Sequence, residues 1–192
     1  MARGDVKRAL RERAILDAAY AHLREQGYVE MSMDDVARAC GIGKATLYQH
    51  FASKDDLVVA VIVDQMKQGD ARFEALDPEA PALTQIRQLL QYGIAMRTRY
   101  APIRVSQAPP HLAHHPLFRE EMRRRNQAIS AILDRGKARG EVRVDIPTPV
   151  LVAHLMQTLG PGLDQTAEVL GLTPEALADQ LLDIVVRGFA AG

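Results

Sequence analysis

Apolar residues recur along this chain at intervals of three and four, the period of an α-helix, and no stretch alternates long enough to predict a strand. Ile15, Leu16, Ala19 and Leu23 predict a first helix from about Lys7 to Gln26, stopped by Gly27. Met33, Val36, Ala37 and Cys40 fall at i, i+3, i+4 and i+7, so a second helix opening at Ser32 buries one face and leaves Asp34, Asp35 and Arg38 in water. Leu47 and Phe51 share the inner side of a short third helix that begins at Lys44. From Leu57 to Val63 every position is apolar, which predicts a helix after Ser53 that is buried on most sides and turns polar near Lys67. Leu83, Ile86, Leu90 and Ile94 mark another helix ending near Tyr100, and one more spans about Pro116 to Lys137, with Glu120–Arg124 and Glu121–Arg125 on a solvated face. The segment from Thr148 to Gly192 predicts two final helices, set apart by the Gly160-Pro161-Gly162 break and the Gly171-Leu172-Thr173-Pro174 start signal. The fold class is all-α.

The stretch from Met31 to Leu57 carries the densest signal. Ser32 with Asp35, and Ser53 with Asp56, each have capping-box spacing, in which a hydroxyl accepts an orphan amide of the first helical turn. Gly41 supplies a left-handed stop, Ile42 drops toward the core, and Gly43 stands at the next N-cap. At about 100° per residue, the face of the third helix opposite Leu47 is Ala45 and Gln49, flanked by Thr46 and Tyr48. Such a small polar face suits the major groove of DNA. Ala45 permits close approach to base edges, the Gln49 amide can pair with adenine at two points, and Lys44, Thr46 and Tyr48 can hold phosphates. Lys54 sits beside the free amides of the next helix start, where a phosphate is also favoured. An ordinary helical hairpin needs only the apolar spacing and leaves the caps and the polar face unexplained.

The run G-I-G-K-A-T-L-Y-Q-H-F-A-S-K-D-D-L, Gly41 to Leu57, resembles the DNA-binding signature of the tetracycline-repressor (TetR) family of bacterial transcription regulators. Gly43 stands where the family often has serine or threonine, and Gln49-His50 replaces a frequent aromatic or histidine pair, which bears on the operator sequence. The resemblance implies an N-terminal three-helix DNA-binding unit with a helix-turn-helix, residues 1–55, linked to a C-terminal helical ligand-binding and dimerisation domain, residues 56–192. It further implies a ligand-responsive regulator, a repressor released from its operator by a small-molecule effector. Phosphate roles carry over to Lys44, Thr46, Tyr48 and Lys54; Ser32, Ala45, Gln49 and His50 complete the DNA-facing set. The effector would lie among central helices, where Tyr92, Met96, Tyr100, Phe118, Met122 and Leu155 are candidates by residue type. Leu151, Leu155 and Leu159, with Leu177, Leu181, Ile184 and Val185, form stripes that either finish their own core or make a symmetric contact with a second copy. A homodimer is expected, since one short helix contacts few bases, whereas two on a twofold read half-sites of a pseudo-palindromic operator about 34–36 Å apart.

Composition refines this reading. With 192 residues, 47% hydrophobic and 25% charged, the chain has a globular profile. Its net charge of zero speaks against nucleic acid until the distribution is considered: Arg3, Lys7, Arg8, Arg11 and Arg13 face only Asp5 and Glu12 in the first 13 residues. That start is either a basic arm following phosphates or a groove, or a plain solubilising segment. The single cysteine, Cys40, lies on a buried face, which leaves no disulfide framework and no thiolate zinc site and points to the cytoplasm. The longest apolar run, seven residues from Leu57, falls short of the roughly 20 that span a bilayer, so no membrane association is expected. His111, His114 and His115 have metal-ligand chemistry, but Pro110 and Pro116 predict a loop, and no H-E-x-x-H, G-x-S-x-G or phosphate-binding glycine loop accompanies them. No catalytic residue, metal site or cofactor is assigned. A ligand-independent dimeric DNA-binding protein and an α-helical enzyme or partner-binding module remain as alternatives.

Overall fold

The computed structural model describes residues 3–68, 76–100, 109–158 and 163–191. Among these, the helices are α1 (Arg3–Glu30), α2 (Met33–Ala39), α3 (Lys44–His50), α4 (Lys54–Gln68), α5 (Ala82–Tyr100), α6 (Pro116–Ala138), α7 (Thr148–Thr158), α8 (Leu163–Leu170) and α9 (Pro174–Phe189). A 3-10 turn, Pro110–His114, precedes α6, and the β pairing among the described residues is an isolated bridge between Val142 and Ala190. No described helix is long and apolar enough to cross a membrane. The chain divides into two compact units, one comprising Met1–Gln68 with Ala101–Glu121, the other Gly69–Tyr100 with Met122–Gly192.

In the first unit, Ile15, Ala19 and Leu23 of α1 pack with Met33, Val36 and Ala37 of α2, Leu47 of α3, and Leu57, Val58, Val59, Val61 and Val63 of α4. Leu112 of the 3-10 turn completes this core, and the half-buried Phe118 lies against it. The expected domain boundary after residue 55 therefore falls inside the unit, because the apolar run of α4 is part of the N-terminal core. Arg13 fastens α4 to α1 by reaching both oxygens of Asp64 at 2.7 and 2.8 Å, and it also pairs with Asp17 at 2.6 Å. Gly27, at φ 80° and ψ 178°, breaks the helix where the sequence predicts a stop, in a conformation a side chain resists. At the other end α1 begins at Arg3, so the basic start is helical, supported by Arg8–Glu12 and Arg13–Asp17 pairs at i, i+4.

In the second unit, Ile86, Leu89 and Leu90 of α5 meet Ile129, Ile132 and Leu133 of α6, Leu151 and Leu155 of α7, and Leu177, Ala178, Leu182, Val185 and Phe189 of α9. This corrects the expected copy-to-copy stripe: Leu151, Leu155, Leu177 and Val185 are interior to their own chain. The face of α9 carrying Ala178, Leu182, Val185 and Phe189 turns inward, which rotates Ile184 out to 68% exposure and leaves Leu181 at the edge. Leu159 lies outside the described residues. Between the two break signals the chain forms α8, a helix the sequence reading omits; it buries Ala167 and closes with the Leu172 amide donating to the Ala167 carbonyl at 2.9 Å. Glu121, expected in water, is buried; it is the last residue that the first unit takes from α6.

Helix α6 passes so near its neighbours at Gly136 that an added Cβ would lie 2.6 Å from both Ala82 Cβ and Val142 Cγ2. Gly136→Ala is expected to cost about 1–3 kcal/mol by overpacking, read as a lower denaturant midpoint. Gly188→Ala, whose Cβ meets nothing within 4 Å, should be neutral or slightly stabilising in the same assay.

Candidate nucleic-acid interface

Helix α3 has seven residues, too few to persist alone in water, so its neighbours must hold it. Its anchor is Leu47, fully buried in the first unit's core. The approach to it is set by α2, where Ser32 Oγ accepts the Asp35 amide at 3.1 Å and donates to Asp35 Oδ2 at 2.6 Å. The single proton of that hydroxyl is thereby spent on the cap. Gly41, at φ 64°, reverses the chain, and the Ile42 amide donates to the Ala37 carbonyl at 3.0 Å. Extended Gly43 then offers its carbonyl to the amides of Thr46 and Leu47 at 2.9 and 3.1 Å, with no side-chain cap.

With Leu47 inward, Ala45, Tyr48 and Gln49 are exposed and Thr46 is half-buried, the arrangement the sequence predicts for the reading face. Lys44 is exposed at the start of α3, its ammonium 2.8 Å from a carboxylate oxygen of Asp34 on α2. That hydrogen-bonded pairing raises the Lys44 pKa above its ordinary value. His50 departs from expectation. Three residues beyond Leu47 it lies on the inward side, its side chain 8% exposed and its Nδ1 3.2 Å from Glu12 Oε1. It ties α3 to α1, and the His50 contact, assisted by Arg8, holds the Glu12 carboxyl below its usual range. Lys54 is also engaged within the protein, donating to the Val29 carbonyl at 3.1 Å with its ammonium 4.5 Å over the Tyr28 ring.

Ser53 repeats the cap at α4, accepting the Asp56 amide at 3.0 Å and donating to Asp56 Oδ2 at 2.7 Å. Two histidines then meet the first turn of α4: His115 Nε2 is 2.9 Å from Asp56 Oδ1, and His111 Nε2 is 2.7 Å from Asp55 Oδ2. The Tyr28 hydroxyl donates to the other Asp55 oxygen at 2.6 Å. Tyr28 is pushed up to about 12 by this bond. Asp55 is lowered by Tyr28 and then His111, and Asp56 by His115 and then Ser53. The predicted loop thus holds a 3-10 turn; His111 within it and His115 just after it partner separate carboxylates, and among the described residues no three metal-ligating side chains converge. Sequence reasoning missed these contacts and Glu12, since nothing in the spacing connects residues so far apart in the chain.

Of the effector candidates, Phe118 packs on the first unit's core and Leu155 is fully buried in the second unit's core. Tyr92 and Met122 are half-buried, and the side chains of Met96 and Tyr100 lie outside the described residues.

A capped pair of short helices at a glycine turn, with a small polar outward face, has the geometry of a helix-turn-helix. Residues 15–61 match the family described as bacterial regulatory proteins, tetR family. The HTH-type transcriptional regulator EthR of Mycolicibacterium smegmatis is 35% identical over 72 residues, 38% of this chain and 33% of its own length. UidR of Escherichia coli K12, another HTH-type transcriptional regulator, is 39% identical over 59 residues, 31% of this chain and 30% of its own. The matched stretch therefore spans about a third of these relatives. In fold the likeness extends further: the transcriptional regulator FadR from Bacillus subtilis, solved in complex with stearoyl-CoA, superposes with a TM-score of 0.75 at 18% identity, over 92% of this chain and 98% of that one. A TetR transcription regulator from Haloarcula marismortui superposes at 0.76 and 18% identity, over 95% and 99%. Over residues 15–61 the chain is thus similar to the N-terminal domain of the tetR family of bacterial regulatory proteins.

The histidine contacts carry an acid signature. A carboxyl held low in the folded state adds stability that is fully present above the unfolded value, about 4, and is lost as pH falls through the lower folded value. His115→Ala should therefore lower the melting temperature near neutrality and flatten its decline toward about pH 3, measured as a melting series against pH. An unaltered series would mean that the pair adds nothing.

Proposed function

We propose that the chain is a ligand-responsive, DNA-binding transcriptional regulator that works in the cytoplasm as a homodimer, a repressor released from its operator by a small-molecule effector. The observation that carries this reading is the outward face of α3, where Ala45 and Gln49 stand exposed between Thr46 and Tyr48 while Leu47 anchors the helix from behind. Ala45 admits the helix to the base edges, and Gln49 offers the donor and acceptor that an adenine edge matches. Lys44 and Tyr48, exposed at the margins of that face, together with Thr46, are placed to fix it on the phosphates.

Two copies are required, since a helix of this length covers only part of a specific site. Among the described residues, Ile184, exposed on α9, and Leu181 beside it are the members of the predicted stripe left for a copy-to-copy contact. The small-molecule reading is supported by the stearoyl-CoA held by B. subtilis FadR, which shares the fold. To release DNA, the effector must bind better to a conformation in which the two reading helices no longer match successive major grooves.

Gln49→Ala is expected to relax preference at one base position per half-site, removing about 1–3 kcal/mol of discrimination, while Lys44→Ala weakens every sequence alike. Binding to duplexes selected by the wild-type chain from a random pool, and to single-base variants of them, reads both effects. Equal losses on every sequence from both changes would remove Gln49 from the groove. A wild-type chain that is strictly monomeric at micromolar concentration and shows no salt-sensitive DNA binding would overturn the whole reading.

A further inference from the structure

The inward stripe of α1 changes character at its N-terminal end. Ile15 is fully buried in the core, and one turn earlier the same side of the helix becomes Arg11, then Lys7 and Arg8, then Gly4, at spacings of three and four. These four residues form one wall of an open cleft of about 280 Å³, and the other wall is Gln49 and His50 from the last turn of α3. Where the helix runs past its apolar partners, its core-facing side becomes cationic and borders the reading helix.

The charges in this cleft are not balanced from within. The residues lining it include no carboxylate, and Glu12 beside it is shared between Arg8 and His50, each at 3.2 Å. Lys7 and Arg11 make no ion pair among the described residues. Clustered cations without a protein partner repel one another and favour an external anion. Its chemistry follows from the opposite wall: Gln49, also exposed on the groove-facing side of α3, places the cleft beside the bases, where the anion is the phosphodiester of the same duplex. Gly4 leaves that end of the cleft open, since a Cβ there would meet nothing within 4 Å. Because α1 is already helical at these residues, the donors are presented at set positions and binding need not order a free arm.

We propose that this cleft is a phosphodiester-binding site, in which Lys7 and Arg11 hold the DNA backbone next to the base pair that Gln49 reads. The proposal rests on the regulator reading above and adds to it a contact outside the helix-turn-helix.

The test compares the wild-type chain with a Lys7→Ala/Arg11→Ala variant on the selected duplex and on a mixed-sequence duplex, each over a range of salt. Two lost phosphate contacts should make the slope of log affinity against log salt shallower by about 1.8, at about 0.9 per phosphate. Affinity should fall by the same factor on both duplexes, with an unchanged melting temperature. A charge-preserving Lys7→Arg/Arg11→Lys variant should keep the wild-type slope. An Ala variant that binds DNA with the wild-type slope overturns the site while leaving the regulator reading intact. Absence of salt-sensitive binding by the wild-type chain removes both. Inorganic phosphate supplies the remaining arm: if it raises the melting temperature of the wild type but not of the Ala variant, while the two share one DNA slope, the cleft takes a free anion and the backbone assignment falls.

Discussion

The outward face of α3 depends on the burial of one side chain. Helix α3 gains little from its own hydrogen bonds at seven residues, so its orientation comes from Leu47, inserted into a core built by α1, α2 and α4. Full burial of a leucine supplies about 1.5–3 kcal/mol, enough to hold a two-turn helix whose ends are closed by neighbours. Once Leu47 points inward, the helical period leaves no freedom: Ala45 and Gln49 face out, and His50 faces α1. The core in turn needs α4, whose continuous apolar run fills the space beside α1 and whose register is held by Arg13 Nη1, which reaches both oxygens of Asp64.

The parts of this architecture legible in the sequence are those decided within a few residues of chain. Serine caps, the glycine reversal at Gly41, the break at Gly27 and the two faces of α3 are local consequences of hydrogen bonding and the helical repeat, and the structure places them as read. Where tertiary partners choose among equivalent options, the reading fails. An apolar stripe on α7 or α9 records that something covers it, without recording whether that is the same chain; Leu151, Leu155, Leu177 and Val185 are covered by their own unit. His50 and Lys54 are polar residues beside a DNA-like motif, and only their neighbours, Glu12, Val29 and Tyr28, reveal that they brace the unit. Partners so distant in sequence leave no periodic trace.

Charge tells a similar story at larger scale. A sum of zero over the chain conceals an arrangement in which cations collect at the start of α1 and around α3. Several of them already have company. Lys44 is paired with Asp34 across the glycine turn, so on the proposed reading an approaching phosphate would replace a carboxylate instead of meeting a bare ammonium. Such an exchange lowers the gain from any single phosphate, and it does so on every sequence alike. Discrimination then weighs more heavily on the base edges, because the sequence-independent part of the binding energy is smaller.

The N-terminal core is not made from a continuous stretch of chain. Leu112 seals it and Phe118 leans on it, yet both follow α5, a helix of the other unit. During synthesis the first four helices therefore leave the ribosome with a gap in their interior, which closes only after the second unit's α5 has been made. A nascent chain stalled before Leu112 would carry a reading helix on an unfinished support. Completion of the core that supports α3 is in this sense deferred until the chain has passed Leu112.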